Sequence, residues 1–181
     1  MSNFAFVTDG VLQSNLDIAF NHIVDLLALS ESDQYKGEEK KLLVVSLRKT
    51  IIIHTASIVE ALLLWKLKEV SKTEKIEMRD EWKYLDIRIL YKINDSEEVV
   101  AGNRKKDKED ISRLDFIKIT LLCKEHKIIR SDDLKIEIDK LRELRNKLHL
   151  GGLTEIEKEY RKSDVEFCFS VARRVKKLVS N

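Results

Sequence analysis

The sequence predicts a mainly α protein: one domain over 1–181, an up-and-down bundle of about five helices with a β-hairpin inserted at 82–104. Three observations predict it. The chain of 181 residues has no proline and only five glycines, so it has few forced breaks and long helices are the default. Apolar residues recur at helical spacing over most of its length. One stretch, near 85–93, switches to period two, the signature of a strand.

Val11–Ser30 reads as the first helix, with Leu12, Leu16, Ile18, Ala19, Ile23, Leu26 and Leu27 at helical spacing. Ser30–Gly37 is polar and reads as a loop. Glu38–Val70 reads as one very long second helix, apolar on most of its surface, which suits a central helix buried on several sides. A polar ridge of Ser46, Thr50, His54 and Ser57 runs down it at steps of four, four and three, and Glu60 extends the line. Small polar residues on such a line bond their own backbone. A carboxylate on a core helix needs a partner.

Lys72–Glu81 is a charged connection. Leu85, Ile87, Ile89, Tyr91 and Ile93 alternate with mostly polar residues, Asn94-Asp95-Ser96 is turn chemistry, and Glu97–Asn103 can return as a second strand. A lone hairpin is marginal, so it is expected to pack on the bundle or on a second subunit. Arg104–Asp110 reads as a charged, loose stretch. Ile111–Ile129 reads as a third helix with Leu114, Ile117, Leu121, Leu122 and Ile128 as its apolar set. Ser131-Asp132-Asp133 is an N-cap signal for a fourth helix, running to about Leu150 and stopping at Gly151-Gly152. Leu153–Val179 is expected to form the last helix.

Composition excludes several function classes. With 43% hydrophobic and 36% charged residues the chain is globular rather than disordered. A formal charge of +2 is too small for a general nucleic-acid binder. The charge is uneven, however: residues 101–130 hold nine Lys/Arg against five Asp/Glu, and Arg173, Arg174, Lys176 and Lys177 have no acid beside them in sequence. These can contact phosphates or simply form solvated helix faces.

Cys123 and Cys168 stand far apart in apolar surroundings, which fits buried reduced thiols in a cytoplasmic protein. The N-terminus lacks the pattern of a signal peptide. The most apolar stretch, Ile51–Trp65, is short for a bilayer and contains His54 and Glu60, so no membrane association is expected. His22, His54 and His126 are isolated and have no metal-ligand spacing, and no nucleotide-loop or nucleophile-elbow motif occurs. No metal and no cofactor are therefore expected. Trp65 and Trp82 read as core or hairpin packing.

The chemistry concentrates in Leu141–Leu150 (LRELRNKLHL). At 100° per residue, Leu134, Ile138, Leu141, Leu144 and Leu148 form one apolar face. Arg142, Arg145, Asn146 and His149 form an adjoining stripe. Arg142 and His149 lie two turns apart, nearly superimposed, and Arg145 falls inside the apolar face, where an arginine must be paired or at an interface. Histidine moves protons near neutrality. Arginine grips phosphate bidentately and never deprotonates. A base beside phosphate-binding cations is what metal-free RNA cleavage needs. The same residues also allow a purely structural reading, with Arg145 pairing with Glu60 and His149 capping a helix C-terminus.

LRELRNKLHL resembles the signature of HEPN domains, the "higher eukaryotes and prokaryotes nucleotide-binding" superfamily, whose hallmark is R-x(4–6)-H near the end of a late helix. Residues 116–146 (FIKITLLCKEHKIIRSDDLKIEIDKLRELRN) resemble the two helices leading into that signature. Residues 54–63 (HTASIVEALL) resemble the family's second helix, including an acidic position matching Glu60. The likeness is spread over roughly 40–178, with the hairpin as an insertion. Arg142-x6-His149 fits the formal pattern without an Asn beside Arg142. Arg145-x3-His149 carries the Asn but is one residue short. Gly151 stands where some members carry a regulatory Tyr.

The resemblance implies a helical homodimer whose two Arg/His sets make one cleft. It implies a metal-independent endoribonuclease, of toxin–antitoxin or phage-defence type, leaving 2′,3′-cyclic phosphate. In that reading His149, Arg142 and Arg145 are catalytic, Asn146 and Lys147 bind or orient RNA, and Glu60 and Ser57 support them. Partners implied are RNA or a nucleotide and an antitoxin or neighbouring-gene protein. The other reading is an inactive HEPN dimer that binds RNA, a nucleotide or a protein.

Overall fold

The computed structural model describes residues 2–35, 37–78, 80–146 and 160–180. It is a mainly α fold of five helices with a two-stranded antiparallel hairpin between the second and third. The chain divides into two compact units: residues 1–70 with 115–181, and residues 71–114.

In the first unit, α1 (Gly10–Glu31) starts where Asp9 caps it, accepting the Val11 and Leu12 N–H groups. Leu16 and Ile23 are its buried residues; Ile18, expected in the apolar set, is exposed. The segment before it, unread in the sequence, buries Phe4 and Val7. Phe4 meets Phe20 edge-on and Phe6 meets Trp65. Trp65 is accordingly a core residue.

The second helix, α2 (Lys41–Ser71), follows a 3-10 turn at Glu38–Lys40. Ten of its residues are buried, Ile51, Ile52, Val59, Leu62, Leu63 and Leu67 almost completely, which makes it the centre of the bundle. Ser46 and Thr50 do bond their own backbone, to Leu42 O at 3.0 Å and Ser46 O at 2.9 Å. In length and composition α2 is sufficient to cross a bilayer, whereas Ile51–Trp65 alone reads as too short. The helical rise carries the apolar stretch beyond that core segment.

The third helix is shorter than its periodicity predicts. Ile111–Arg113 forms a separate 3-10 turn capped by Asp110. The α-helix proper, α3 (Phe116–Glu125), begins where the Asp115 carboxylate accepts the Lys118 N–H at 2.8 Å. It buries Phe116, Ile119, Thr120 and Cys123. Ile117 and Leu121, expected in the core, are exposed. Phe116, Ile119, Thr120 and Cys123 recur at i, i+3, i+4 and i+7, and Ile117 and Leu121 fall on the flank of that stripe. The helix ends before Ile129 because Lys127 takes a left-handed conformation (φ 55°), with its N–H on Lys124 O and the Ile129 N–H on Cys123 O.

Ser131 caps α4 (Asp132–Asn146) through the Leu134 N–H, and Leu134, Ile138 and Leu141 are its buried face. The last helix, α5, spans Lys162–Val179, and residues 153–159 of the expected Leu153–Val179 lie outside the described residues. Tyr160 and Arg161 are not helical, because the Asp164 carboxylate accepts the Arg161 N–H at 2.8 Å and starts the helix there. Val165, Cys168, Val171, Val175 and Val179 form its core stripe. Packing places α4 beside both α3 and α5.

The second unit holds β1 (Asp80–Lys92) and β2 (Glu98–Lys108), joined by a turn. Asn94 organises the turn, accepting the Ser96 N–H at 2.8 Å and donating to the Glu97 carboxylate. Both strands run beyond the 82–104 expected, and Arg104 to Lys108 are part of the sheet. Two register shifts break the period-two pattern in β1, between Leu85 and Arg88 and between Ile89 and Tyr91. Asp86, at the first, has φ 52°. Gly102 lies opposite: a Cβ there would meet Leu85 O at 3.2 Å and the Ile87 side chain at 3.3 Å.

The shift changes which residues share a face. Trp82 pairs with Lys106, Tyr84 with Arg104 and Ile89 with Val100, while β2 runs without interruption. Even positions of β2 share one face, so Trp82, Tyr84, Ile87, Ile89 and Val100 do as well. Leu85, paired with Asn103, lies on the other.

Candidate functional site

Three helices converge on Arg145. It sits in the last turn of α4, at the edge of the buried Leu134/Ile138/Leu141 face. Its Nη1 donates to Glu60 Oε2 of α2 at 2.5 Å, and its guanidinium lies 5.9 Å from the centre of the Phe116 ring at the start of α3. Both partners are half-buried, 31% and 23% exposed at the side chain. A charge in this position is held by its counter-charge and by an aromatic face. The pair anticipated from the amphipathic phase of α4 is therefore present.

Arg142 lies one turn earlier and is mostly buried. Its Nε is enclosed with no hydrogen-bond partner among the described residues and stands 3.9 Å from Asp139 Oδ1. Asp139 is itself engaged by Lys135 at 2.5 Å. Two cations thus share one carboxylate, while Arg145 has Glu60. Asn146 is exposed at the end of α4. Ser57 is half-buried on α2, three residues before Glu60. His149 and Lys147 lie outside the described residues, as do Leu148, Gly151 and the expected helix stop. The structure thus brings Arg142, Arg145, Asn146 and Glu60 to one end of α4.

No protein-family model, curated protein or solved structure matches this chain.

Two residues of the basic C-terminal run, Arg174 and Lys176, are engaged in the bundle, and Arg173 and Lys177 are exposed. Arg174 pairs with Glu137 of α4, and Lys176 lies 5.3 Å from the Phe4 ring centre. Elsewhere the sequence reading missed a pair of histidines. His22 of α1 and His54 of α2, read as isolated, meet edge-on with ring centres 4.9 Å apart. Burial, and then the charge of His22, hold the His54 imidazole below the usual histidine range. No sequence signal links them, because they stand on different helices. Among the described residues no three His, Cys, Asp or Glu side chains converge as metal ligands.

Proposed function

We propose that this chain is a HEPN-like endoribonuclease that cuts RNA without a metal, at a site built from the end of α4. The observation that carries the reading is the division of labour between two arginines one turn apart. Arg145 is held by Glu60, and the enclosed Nε of Arg142 has no hydrogen-bond partner among the described residues.

In this mechanism a 2′-hydroxyl attacks its own 3′-phosphate. One His149 takes the hydroxyl proton, the P–O5′ bond breaks, and a second His149, from the other subunit of a homodimer, protonates the leaving 5′ oxygen. Arg142 stabilises the charge that gathers on phosphorus. Arg145 positions the helix end, and Asn146 and Lys147 orient the strand. The products are a 2′,3′-cyclic phosphate and a 5′-hydroxyl. Such an activity suits a cytoplasmic toxin or phage-defence protein held in check by a partner protein.

A second reading is favoured by the Arg145–Glu60 pair itself. An arginine fully engaged with a carboxylate suits a non-catalytic HEPN module that binds RNA, a nucleotide or a protein. Incubating purified protein with single-stranded RNA in EDTA separates the two. Cleavage to cyclic-phosphate ends by wild type, and none by His149→Ala, supports the enzyme. Equal cleavage by both, or intact RNA with wild type, rejects it, and intact RNA leaves the module.

A further inference from the structure

We infer that the hairpin is a self-association surface, whose apolar face docks on the same face of a second copy of this chain in antiparallel orientation. The inference does not depend on the RNA-cleaving reading.

The face is the one created by the register shift at Asp86. In an uninterrupted strand Trp82 and Tyr84 would point one way and Ile87 and Ile89 the other. The bulge reverses the parity, and Gly102 leaves room for Ile87 to lie across β2. The result is a continuous stripe of Trp82, Tyr84, Ile87, Ile89 and Val100, each 49–59% exposed. Arg104 is stacked between the two rings, 4.5 Å from that of Trp82 and 5.1 Å from that of Tyr84. A two-stranded sheet is marginal in water by itself, and an apolar stripe of this kind marks an interaction site.

Charge selects the occupant. Segments 80–83 and 104–108, at the open end, hold five basic and three acidic residues; segment 92–98, at the turn, holds one basic and three acidic. The hairpin is therefore positive at one end, negative at the other, and apolar between. Two copies related by a two-fold axis across the stripe bring each positive end to a negative one. A parallel arrangement would set like charges together. The aliphatic half of the stripe, Ile87, Ile89 and Val100, has no use for a nucleobase, and the two aromatic rings already carry Arg104. Half-exposed aromatic and aliphatic side chains of this number offer on the order of 500 Å² per copy, the low end for a specific interface. A dimer of micromolar affinity is the expectation.

The test is sedimentation equilibrium of the full chain from micromolar to hundreds of micromolar concentration, with and without Ile89→Lys. Wild type is expected to associate through the hairpin, from monomer to dimer or, where the homodimer of the proposed RNA-cleaving site already forms, from dimer to tetramer, and Ile89→Lys to weaken that step about tenfold or more. A second variant covers the case in which Ile89→Lys unfolds the hairpin. Ile87→Cys, near the two-fold axis, is expected to form an intermolecular disulfide under mild oxidation, and Arg88→Cys, on the opposite face, is not. Cys123 and Cys168 are buried and do not compete. A monomeric wild type overturns the proposal, as does association unaffected by Ile89→Lys, or equal cross-linking from both faces. A wild type that stays monomeric and instead retains single-stranded RNA through Trp82 also overturns it.

Discussion

Arg145 Nη1 lies 2.5 Å from Glu60 Oε2, linking the last turn of α4 to the middle of the central helix across 85 residues of sequence. The contact fixes the position of the α4 end relative to α2 and α3. Its worth lies between that of an exposed pair, about 0–1 kcal/mol, and a buried pair broken on one side, about 3–5 kcal/mol. At the half-burial seen, Glu60→Gln is expected to cost about 1–2 kcal/mol and lower Tm by roughly 2–8 °C. Glu60→Gln with Arg145→Met should be milder than the two single effects added, measured by urea unfolding. Strict additivity would mean the pair contributes nothing.

The two arginines are expected to fail differently. Arg142→Gln removes the cation that faces the developing phosphorane in the proposed reaction. Cleavage should drop by about 10²–10³ with little change in thermal stability. Arg145→Gln leaves Glu60 without its partner, so stability falls along with activity. Parallel measurement of RNA cleavage and Tm checks this. If Arg142→Gln loses as much stability as Arg145→Gln, Arg142 is a packing residue and the division of labour is wrong.

Much of this was legible in the sequence. The helices of the bundle announced themselves through periodicity, and Arg145 through its position inside an apolar stripe. The misreadings share a cause: caps and bulges reset the phase that periodicity assumes. Asp115 starts α3 five residues late, and Ile117 and Leu121 lie beside its buried stripe rather than in it. Asp86 shifts β1 by one residue, so that Trp82 and Ile87 share a face that no fixed period would join. The His22–His54 contact depends on how two helices pack, which neither helix encodes alone.

Left-handed Lys127 gives a direct test of the phase argument. A side chain at φ 55° costs about 1 kcal/mol that glycine avoids. Lys127→Gly is therefore expected to stabilise the protein by about 0.5–1 kcal/mol, net of the entropy glycine adds to the unfolded chain. Urea unfolding reads it out. A destabilised variant would show that the lysine side chain itself holds the end of α3.

His54 makes stability depend on pH. Its folded pKa lies below the ordinary histidine value of 6.5, through burial and then through His22. Above about 6.5 the imidazole is neutral in both states and the native state has lost nothing. As pH falls below that value the unfolded chain takes up a proton that the native site resists, so the unfolded state binds more protons and stability declines until the folded pKa is reached. Tm should therefore fall between about pH 6.5 and the folded pKa, in a step that His54→Gln flattens. Neighbouring carboxylates also titrate toward acid, so the comparison with His54→Gln carries the conclusion. A profile unchanged by the substitution would mean that His54 binds protons equally in both states.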